Sequence, residues 1–556
     1  LVFRGEVFVA SVEGGITRRI TDTPGQERSV SFSPDGRSLL YAAERDNNWN
    51  VYTTSLVRPQ EPYFYASTVL KEEPVVATAA EEFQPEFSPD GKEVAYLENR
   101  VVLKVIRLAT RQSRTILPAE YNYSYADGDQ NYQWSPDGKW LLVQYGRVRL
   151  FSPEIGLISS DGQGKVINLT QSGFEDVAPR WAMNGKMMVW ASSREGNRAL
   201  AGDSVSYDIY GLFFTRAAYD RFKLSKEEFA LLTEQENKAK EEKAKTAEAA
   251  KGKKPVAAKE PPAPWTVDWE NLTERKLRLT VHSTDLADAV LAANGEKLFY
   301  LARFEKGYDL WVTESRSHET KLLCKLGAER AGMELSADGK SLFLLVDGKV
   351  AKIDAESGKL EPVAVNGEMV LDAARERTAM FDHMWRQMKE KFYKTDLHGV
   401  DWDFYGAAYR RFLPFITHSA DFAELVSEML GELNASHTGC RYRPPSQGAV
   451  DQTASLGLFE DHGHTGPGLK VAEILLGGPL DKAELKIRAG HVIEKIDGQP
   501  LRPEEDWTRL LNRKAGQPTL LSVLDPANGS RWEEVVKPMP ARGEGELLYQ
   551  RWVRNR

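Results

Sequence analysis

Hydrophobic and polar positions follow two different periods along this chain of 556 residues. Over the first two thirds, apolar and polar residues alternate in short runs such as Lys139–Tyr145, which is the period of a β-strand. From about residue 373 the period becomes about 3.6 residues, which is that of a helix. One face of this helix is apolar and carries Met380, Met384, Trp385, Met388 and Phe392. The pattern therefore predicts a mainly β region followed by a helical block.

A five-residue signature recurs through the β region. It reads Phe-Ser-Pro-Asp-Gly or Trp-Ser-Pro-Asp-Gly in three copies, at 32–36, 87–91 and 134–138. Three further copies, at 181–185, 291–295 and 335–339, keep only part of this sequence. Neighbouring copies start 44 to 55 residues apart, except across one interval of 110. Each copy ends a strand and supplies an Asp-Gly or Asn-Gly hairpin turn. One copy therefore marks one blade of a β-propeller.

Six signatures and an opening segment, 7–15, that matches the back half of a repeat predict seven blades over residues 1–370, the first of them truncated. The doubled interval contains an insertion at roughly 200–275. Its middle, 234–263, is rich in Lys, Glu and Ala and runs into several prolines. This composition predicts a solvated helix that leads into a charged, flexible linker.

Composition and charge narrow the functional classes. The chain has 73 Lys and Arg against 81 Asp and Glu, a net charge of −8, whereas nucleic-acid binding needs a basic surface. No run of 18 apolar residues predicts a membrane span. The cysteines, Cys324 and Cys440, fall in different predicted domains, so no disulfide framework is expected. Leu1 starts within a strand pattern and without an initiator methionine, so we expect the natural start, with any leader, to lie upstream.

The most informative chemical pattern is Gly-Glu-Leu-Asn-Ala-Ser-His-Thr-Gly at 431–439. It follows a predicted helix over 421–433, which begins after a cap-like Ser419. The hydroxyl of Ser436 lies beside the imidazole of His437, which could accept a proton from a nucleophile. The alternative is a helix-terminal cap without chemistry. No Gly-x-Ser-x-Gly elbow follows, so we expect only half of an active site.

Two weaker motifs predict no cofactor and no metal. His462 and His464 lie in a glycine-rich turn with Glu460 and Asp461, and we interpret them as a solvated hairpin rather than a zinc site. The Gly-Lys-Ser at 339–341 resembles the end of a phosphate-binding loop, but it belongs to a blade turn. Nucleotide binding is therefore not expected.

Residues 454–540 form a further predicted unit. Strands are predicted at 456–460 and 468–475, and short helices at 478–483 and 506–512. This order resembles the PDZ domains attached to bacterial proteases, which bind a peptide as an added strand at a sheet edge. The loop expected to hold the peptide carboxylate contains Ser455, Leu456 and Gly457. The alternative is a PDZ-like fold that serves only as a spacer.

Taken in order, these parts resemble the tricorn protease homologues of the tail-specific, or C-terminal processing, serine peptidase superfamily. The resemblance is most specific at Phe381, Asp401, Trp402, Tyr409, Glu432, Leu433, Ser436 and His437. It implies TolB- or WD40-like blades, a helical catalytic module at 373–445, a PDZ domain and a linker at 541–556. It also implies that a first propeller and a second catalytic module lie outside this sequence.

By that resemblance, His437 is the general base of a serine peptidase and Ser436 helps to orient its imidazole. The nucleophilic serine belongs to the missing module, so this chain alone is expected to be inactive. The resemblance further implies peptide or unfolded protein substrates, a homo-oligomer such as a hexamer, and a cytoplasmic location, with the periplasm as the alternative if a leader was removed. The rival prediction is a non-catalytic propeller and PDZ scaffold that binds or senses peptides.

Overall fold

The computed structural model describes residues 1–124, 126–146, 152–197, 205–249, 265–443, 451–503 and 505–556. The chain divides into two compact units, 1–440 and 441–556. In the described part of residues 1–362, the chain forms seven successive antiparallel sheets. Sheet 1 has three strands and each of the others has four, and every sheet follows chain order. The region is therefore mainly β, as the alternating pattern predicts.

The strands of sheets 1 to 7 have the following bounds. Sheet 1 contains β1 (Val2–Phe3), β2 (Glu6–Ala10) and β3 (Thr17–Arg19). Sheet 2 contains β4 (Glu27–Phe32), β5 (Ser38–Arg45), β6 (Asn48–Leu56) and β7 (Leu70–Val76). Sheet 3 contains β8 (Glu82–Phe87), β9 (Glu93–Glu98), β10 (Val102–Arg107) and β11 (Gln112–Leu117). Sheet 4 contains β12 (Tyr132–Trp134), β13 (Trp140–Tyr145), β14 (Glu154–Ser159) and β15 (Ile167–Asn168).

The later sheets continue the series. Sheet 5 contains β16 (Asp176–Ala182), β17 (Met187–Ser192), β18 (Asp208–Phe213) and β19 (Lys276–Arg278). Sheet 6 contains β20 (Asp285–Leu291), β21 (Lys297–Arg303), β22 (Tyr308–Glu314) and β23 (Thr320–Ala328). Sheet 7 contains β24 (Ala331–Leu335), β25 (Ser341–Val346), β26 (Lys349–Asp354) and β27 (Leu360–Pro362).

The recurring signature forms the turn between the first two strands of a sheet, as predicted. In the first copy, Asp35 Oδ1 accepts hydrogen bonds from Ser33 Oγ at 2.6 Å and Arg37 N at 3.0 Å. Ser33 Oγ in turn accepts one from Ser38 N at 2.9 Å. The same three bonds recur around Asp90, Asp137 and Asp338. The glycine of these four copies has φ of 70° or 71°, which a residue without Cβ adopts freely.

A second repeated hydrogen-bond arrangement joins the last two strands of a sheet. This arrangement was not predicted from the sequence. Thr21, just after β3, accepts a hydrogen bond from Val7 N at 2.9 Å and donates one to Glu6 at 2.6 Å. The same arrangement occurs twice more, with Thr170, Ile155 and Glu154, and with Thr280, Ile209 and Asp208. In these three sheets a threonine after the last strand thus bonds to an acid at the start of the strand before it, and two of the three acids, Glu6 and Asp208, are buried.

The chain that leaves sheet 7 returns to sheet 1. Asn366 N donates a hydrogen bond to Thr17 Oγ1 at 3.0 Å. A Cβ added to Gly367 would lie 3.1 Å from the ring of Phe8, so this backbone packs closely on β2. The first and last sheets of the series are therefore connected through residues 366–367.

The insertion lies between β18 and β19 and contains α1 (Arg216–Phe222) and α2 (Lys226–Ala249). Arg316 anchors it to sheet 6, because its guanidinium lies 3.6 Å from the ring centroid of Phe229 and donates to the carbonyl of Leu224 at 2.8 Å. Helix α2 overlaps the stretch predicted to be a solvated helix. The rest of the predicted linker, 250–263, lies outside the described residues.

The helical block contains α3 (Ala373–Lys391), α4 (Trp402–Arg410) and α5 (Ser419–Gly431). Asp372 and Asp401 cap the first two helices. The prediction of Ser419 as the cap of α5 is wrong, because the ring of His418 accepts the hydrogen bond from Ala420 N at 3.0 Å. The helix consequently starts two residues before the predicted 421.

The three helices enclose an apolar core that includes Phe381, Leu425, Val426, Met429 and Leu433. The predicted apolar face of α3 belongs to this core, except that Met380 is 42% exposed. Two indoles hold α3 and α4 together: Trp385 Nε1 donates to Trp402 O at 3.0 Å, and Trp402 Nε1 donates to Trp385 O at 2.9 Å.

The polar face of α3 is attached to sheets 2 and 3 by buried charged groups. Glu44 accepts hydrogen bonds from Arg386 and pairs with His383 Nδ1 at 3.0 Å. Gln387 Nε2 donates to Glu81 at 3.0 Å. Glu44 is 9% exposed and Glu81 is 4% exposed, so these contacts exclude water.

Asp127 extends this network at the end of α3. Its carboxylate accepts hydrogen bonds from Lys391 Nζ at 2.5 Å and Arg100 Nε at 2.7 Å. Arg100 also pairs with Glu81 at 2.7 Å and donates to Gln387 at 2.6 Å. Burial opposes ionisation of Asp127, but the hydrogen bonds from Lys391 and Arg100 outweigh it and lower its pKa to about 2.

The second unit contains a six-stranded sheet, with five strands in the order β29, β30, β31, β33, β34 and with β32 paired to β31. Strands β28 and β35 form a separate two-stranded sheet. The elements of this unit are β28 (Ala454–Ser455), β29 (Leu458–Glu460), β30 (Leu469–Ile474), β31 (Val492–Ile496), β32 (Gln499–Pro500), β33 (Thr519–Leu524), β34 (Arg531–Val536), β35 (Met539–Pro540) and α6 (Ala541–Arg554). A 3₁₀ helix at Trp507–Leu511 lies where a helix was predicted.

Two parts of this unit differ from the sequence prediction. The helix predicted at 478–483 is wrong: the segment forms separate turns, in which Gly478 N donates to Leu475 O at 3.0 Å and Asp481 N donates to Gly478 O at 3.2 Å, without a helical ladder. Residues 541–556, expected to be a linker, form α6 over most of their length. Arg551 Nε of this helix donates to Glu473 at 2.7 Å, and Leu547 is buried.

Among the helices that the structure describes, none has both the length and the apolar content to cross a membrane.

The close contact of α3 with α4 predicts a specific loss of stability. A Cβ at Gly406 would lie 2.3 Å from Trp385 Nε1, whereas one at Gly431 would meet nothing within 4 Å. Gly406→Ala should lower the free energy of unfolding of the first unit by about 1–3 kcal/mol through overpacking. The control Gly431→Ala should be neutral or stabilising by up to ~1 kcal/mol. Urea unfolding followed by tryptophan fluorescence measures both, and equal effects would contradict the packing.

The ion network predicts a pH-dependent contribution from Asp127. Because its pKa is depressed when folded, the stabilisation is present above the unfolded pKa of about 3.9 and is lost as the pH falls toward 2. Asp127→Asn should therefore destabilise the first unit by about 1–3 kcal/mol at pH 7. The difference in free energy of unfolding between this variant and the wild type should become smaller below pH 4.

The control is Asp22→Asn, since the Asp22 side chain is 86% exposed and pairs with Arg19 at the surface. It should change stability by less than ~1 kcal/mol. Urea midpoints measured from pH 7 to pH 3 test the prediction. A difference for Asp127→Asn that stays constant over this range would contradict it.

Candidate active site

The turn after α5 carries both residues that the sequence singles out. The helix ends at Gly431, Leu433 is buried in the helical core, and Asn434 has φ of 46°. His437 also has a left-handed backbone, with φ of 63°. Asparagine and histidine tolerate this conformation better than most residues, and adjacent pairs such as Asp46 and Asn47 also adopt it elsewhere in the chain. The chain therefore turns away from the helical path at both positions.

Ser436 and His437 both face solvent. Each is exposed, and within the part of the chain that the structure describes neither side chain makes a hydrogen bond. The structure thus places them next to each other in sequence without joining them by a hydrogen bond. The nearest side-chain bond in the turn is local, from Thr438 Oγ1 to Ala435 O at 2.8 Å.

Glu432 connects this turn to α4. Its carboxylate accepts a hydrogen bond from Tyr409 OH at 2.8 Å. That hydrogen bond, together with burial and the negative charge, raises the pKa of Tyr409 to about 12. The charge of Glu432 and a hydrogen bond to it also raise the pKa of Tyr405. Both phenols therefore remain protonated donors at neutral pH.

This geometry suits proton transfer more than binding. An exposed imidazole without an internal partner keeps a nitrogen available to accept a proton from a hydroxyl brought to it. A nucleophile would have to approach within about 2.6–3.2 Å of that nitrogen. In the described residues, the imidazole of His437 is exposed and accessible to a group that approaches from outside this helical block.

The second candidate site, in the unit 441–556, is the loop before β29. Ser455 Oγ accepts a hydrogen bond from Gly457 N at 2.9 Å, and Gly457 has φ of 66°. A Cβ at Gly457 would lie 2.9 Å from Pro479 Cδ, so only glycine fits. The side chain of Leu456 is 1% exposed and packs in the core. The loop is therefore rigid, and its remaining recognition groups are backbone amides.

The strand that follows this loop lies at the edge of its sheet. β29 pairs with β30 on one side only, with Phe459 opposite Glu473. Glu460 on the same strand accepts a hydrogen bond from Trp507 Nε1 at 3.2 Å. A free edge beside a short helix is the arrangement to which extended peptides add as a further strand.

The two histidines near this strand have separate partners. His462 Nδ1 lies 3.1 Å from Glu460, and His464 Nε2 lies 3.3 Å from the carbonyl of Pro467. In the residues that the structure covers, no group of three or more His, Cys, Asp or Glu side chains is placed to hold a metal ion.

Sequence reasoning missed the polar attachments of this block. It treated α3 as an apolar stripe, although His383, Arg386, Gln387 and Lys391 recur on the other face at helical spacing. It also gave no role to Tyr405 and Tyr409, which lie one helical turn apart. In both cases the available signal was polar residues at intervals of three or four.

Comparison with known proteins supports the resemblance. Residues 373–431 match the family model of the tricorn protease C1 domain, which covers α3 to α5 and ends before Ser436. Tricorn protease homolog 1 of Streptomyces coelicolor is 28% identical over 250 residues, 42% of this chain and 23% of that protein. The tricorn protease homolog of Saccharolobus solfataricus is 22% identical over 499 residues, 84% of this chain and 42% of that protein. The chain is a tricorn protease homologue.

The fold agrees with this assignment. The crystal structure of the tricorn protease superposes on 97% of this chain with a TM-score of 0.68 at 15% identity, and this chain covers 50% of that structure. The homologue thus spans half or less of the length of these relatives. Its mainly β part and helical block follow the fold of the tricorn protease.

Exposure of His437 in this homologue can be checked chemically. Carbethoxylation by diethyl pyrocarbonate, followed by mass spectrometry, should modify His437 about as fast as His462, whose side chain is 85% exposed. His383 should react more slowly, because its side chain is only 20% exposed and pairs with Glu44. If His437 reacts no faster than His383, the exposed turn described here is wrong.

Proposed function

We propose that this homologue is part of a serine peptidase that hydrolyses peptides by acyl transfer, with His437 as the general base. The observation that carries the proposal is the exposed imidazole on a fixed, left-handed turn at the end of the helical block that matches the tricorn C1 domain. The nucleophilic serine and the oxyanion-hole amides are proposed to come from a segment outside this sequence.

In this mechanism His437 removes the proton from the serine hydroxyl as that oxygen attacks the scissile carbonyl. The imidazolium then returns the proton to the leaving amine, and a water molecule hydrolyses the acyl-enzyme by the same route. Ser436 is proposed to accept or donate a hydrogen bond that orients the imidazole once the second half of the site is in place. The amides supplied from elsewhere stabilise the tetrahedral oxyanion.

The remaining parts are proposed to handle the substrate. Seven successive sheets and the contact of residues 366–367 with sheet 1 support a seven-bladed propeller, through which peptides would enter or leave. The free edge of β29 and the loop at 455–457 support a PDZ domain that binds peptide ends. By family resemblance we also propose a homo-oligomer, such as a hexamer, in the cytoplasm, with the periplasm as the alternative.

A second candidate function is a non-catalytic scaffold that binds peptides. The free edge of β29 favours it, because this surface is complete within the chain, whereas the proposed catalytic site is not. The two functions differ in what they require of His437. Peptide binding at β29 does not need its imidazole, and hydrolysis does.

Hydrolysis of a mixed panel of fluorogenic peptides by the complete gene product tests the proposal. His437→Ala should lower kcat by about 10⁴-fold or more and leave the melting temperature unchanged, because the side chain is exposed. Ser436→Ala should cause a smaller loss, about 10- to 100-fold. The exposed His462, substituted as His462→Ala, is the matched control and should retain full activity.

Wild-type turnover in His437→Ala would remove His437 from the mechanism. The 556-residue chain by itself should show no hydrolysis, and hydrolysis by it would show that the nucleophile lies within this sequence. Peptide binding by a folded complete product that hydrolyses none of the panel would favour the scaffold.

A further inference from the structure

The turn that carries Ser436 and His437 has few attachments to the rest of the helical block. The side chain of Leu433 is buried in the core at its start. The bond from Thr438 Oγ1 to Ala435 O is internal to the turn. Within the described residues, the hydrogen bond that reaches a side chain of 432–439 from another helix comes from Tyr409 OH, and the charge of Glu432 also raises the pKa of the neighbouring Tyr405. The turn is therefore held by the apolar packing of Leu433 and Ala435 on the helical core and by the polar contact at Glu432.

Both phenols are well suited to hold a carboxylate. Glu432 is the C-cap residue that follows α5, and its Oε1 lies 2.8 Å from Tyr409 OH. A hydrogen bond from a neutral donor to an ionised acceptor is shorter and stronger than one between neutral groups. The raised pKa values of both tyrosines have the same cause, because deprotonation would place a phenolate beside the negative charge of Glu432.

The helix that carries the tyrosines is itself fixed. Tyr405 and Tyr409 lie one turn apart on α4, with ring centroids 6.5 Å apart. The N-terminal end of α4 is held by the paired indole bonds of Trp385 and Trp402. α3, which supplies Trp385, is in turn attached to sheets 2 and 3 through Glu44 and other buried groups. A continuous set of directional contacts therefore runs from the sheets to the turn.

We propose that Tyr409, assisted by Tyr405, is a positioning residue that holds the His437 turn through Glu432. The inference rests on the proposed function of His437 as a general base. It gives the tyrosines no contact with the reacting atoms. Their effect arises because proton transfer requires the imidazole nitrogen within hydrogen-bond distance of the nucleophile, and a displacement of about 1 Å can cost about 100-fold in rate.

The test uses the complete gene product with Tyr409→Phe and the double variant Tyr405→Phe/Tyr409→Phe. Each substitution removes one hydroxyl and leaves the ring. The matched control is Tyr393→Phe: this exposed tyrosine of the same block bonds to His398 Nε2 at 2.6 Å and does not contact Glu432. The measurements are kcat and KM for a fluorogenic peptide, and amide hydrogen exchange of residues 432–439.

The double variant should lower kcat by about tenfold or more with unchanged KM, and should increase exchange within 432–439. Glu432→Gln keeps an oxygen that can accept the phenol and should retain more activity than Glu432→Ala. Tyr393→Phe should behave as wild type. Unchanged kcat and exchange in the double variant would overturn the proposal. A rise in KM equal to the loss in kcat, together with a lower melting temperature, would also overturn it, because that result indicates a purely structural role.

The exchange measurement separates this inference from the proposed function. If the wild-type protein hydrolyses no peptide, the proposed function fails, but exchange still reports whether the tyrosines hold the turn. Increased exchange limited to 432–439 in the double variant would then support the positioning contact. Unchanged exchange would remove it whether or not the protein is a peptidase.

Discussion

The buried ion network beneath α3 is the interaction on which the rest of this structure depends. Glu44 lies near the end of β5, and Glu81 and Asp127 lie just before β8 and β12. Basic and amide groups of α3 bind all three carboxylates, and Arg100 also pairs with Glu81 and Asp127. Buried charges are costly unless they are paired and hydrogen-bonded, so removing one partner leaves an uncompensated charge. The network therefore allows one position of α3 on the sheets. It contributes more to placing the helix than to total stability, since buried ion pairs add little net free energy.

The position of α3 also affects the position of the candidate catalytic turn. Its apolar face forms the core with α4 and α5, and its Trp385 fixes α4 through reciprocal indole bonds. Helix α4 then holds Glu432 through Tyr409. His437 lies five residues beyond Glu432 and has no hydrogen bond of its own among the described residues. The exposed side chain of His437 is thus positioned by its backbone, which is held through Leu433, Ala435 and Glu432.

The amino-acid sequence predicts the repeated parts of this architecture well. The Ser-Pro-Asp-Gly signature encodes a turn whose hydrogen bonds are local, so the hairpins can be inferred from four residues. The neighbouring turns also touch, since a Cβ at Gly185 would lie 3.2 Å from Pro136 Cγ, which accounts for the proline as well as the glycine. The apolar face of α3 and two strands of the second unit, β29 and β30, were predicted for the same reason: their residue patterns are local.

The contacts that the sequence did not predict are polar and join residues far apart in the chain. The bond between Glu44 and His383 joins residues 339 positions apart, and no local pattern identifies such a partner. The threonines at 21, 170 and 280 likewise act across a hairpin. The missed cap at His418 and the absent helix at 478–483 were errors of local chemistry, in the first case because a histidine ring replaced the expected serine hydroxyl. The pairing of Ser436 with His437 was visible in sequence, but their separate exposure was not.

The most direct test of the central claim is covalent capture with a peptidyl chloromethyl ketone on the complete gene product. Such a reagent alkylates the imidazole that serves an attacking serine, because the serine first adds to the ketone beside it. Mass spectrometry should find the adduct on His437, at a much higher rate than on the exposed His462. Labelling of both histidines at equal rates would show that His437 is only a solvent-exposed side chain. Labelling of a different histidine would assign the general base elsewhere.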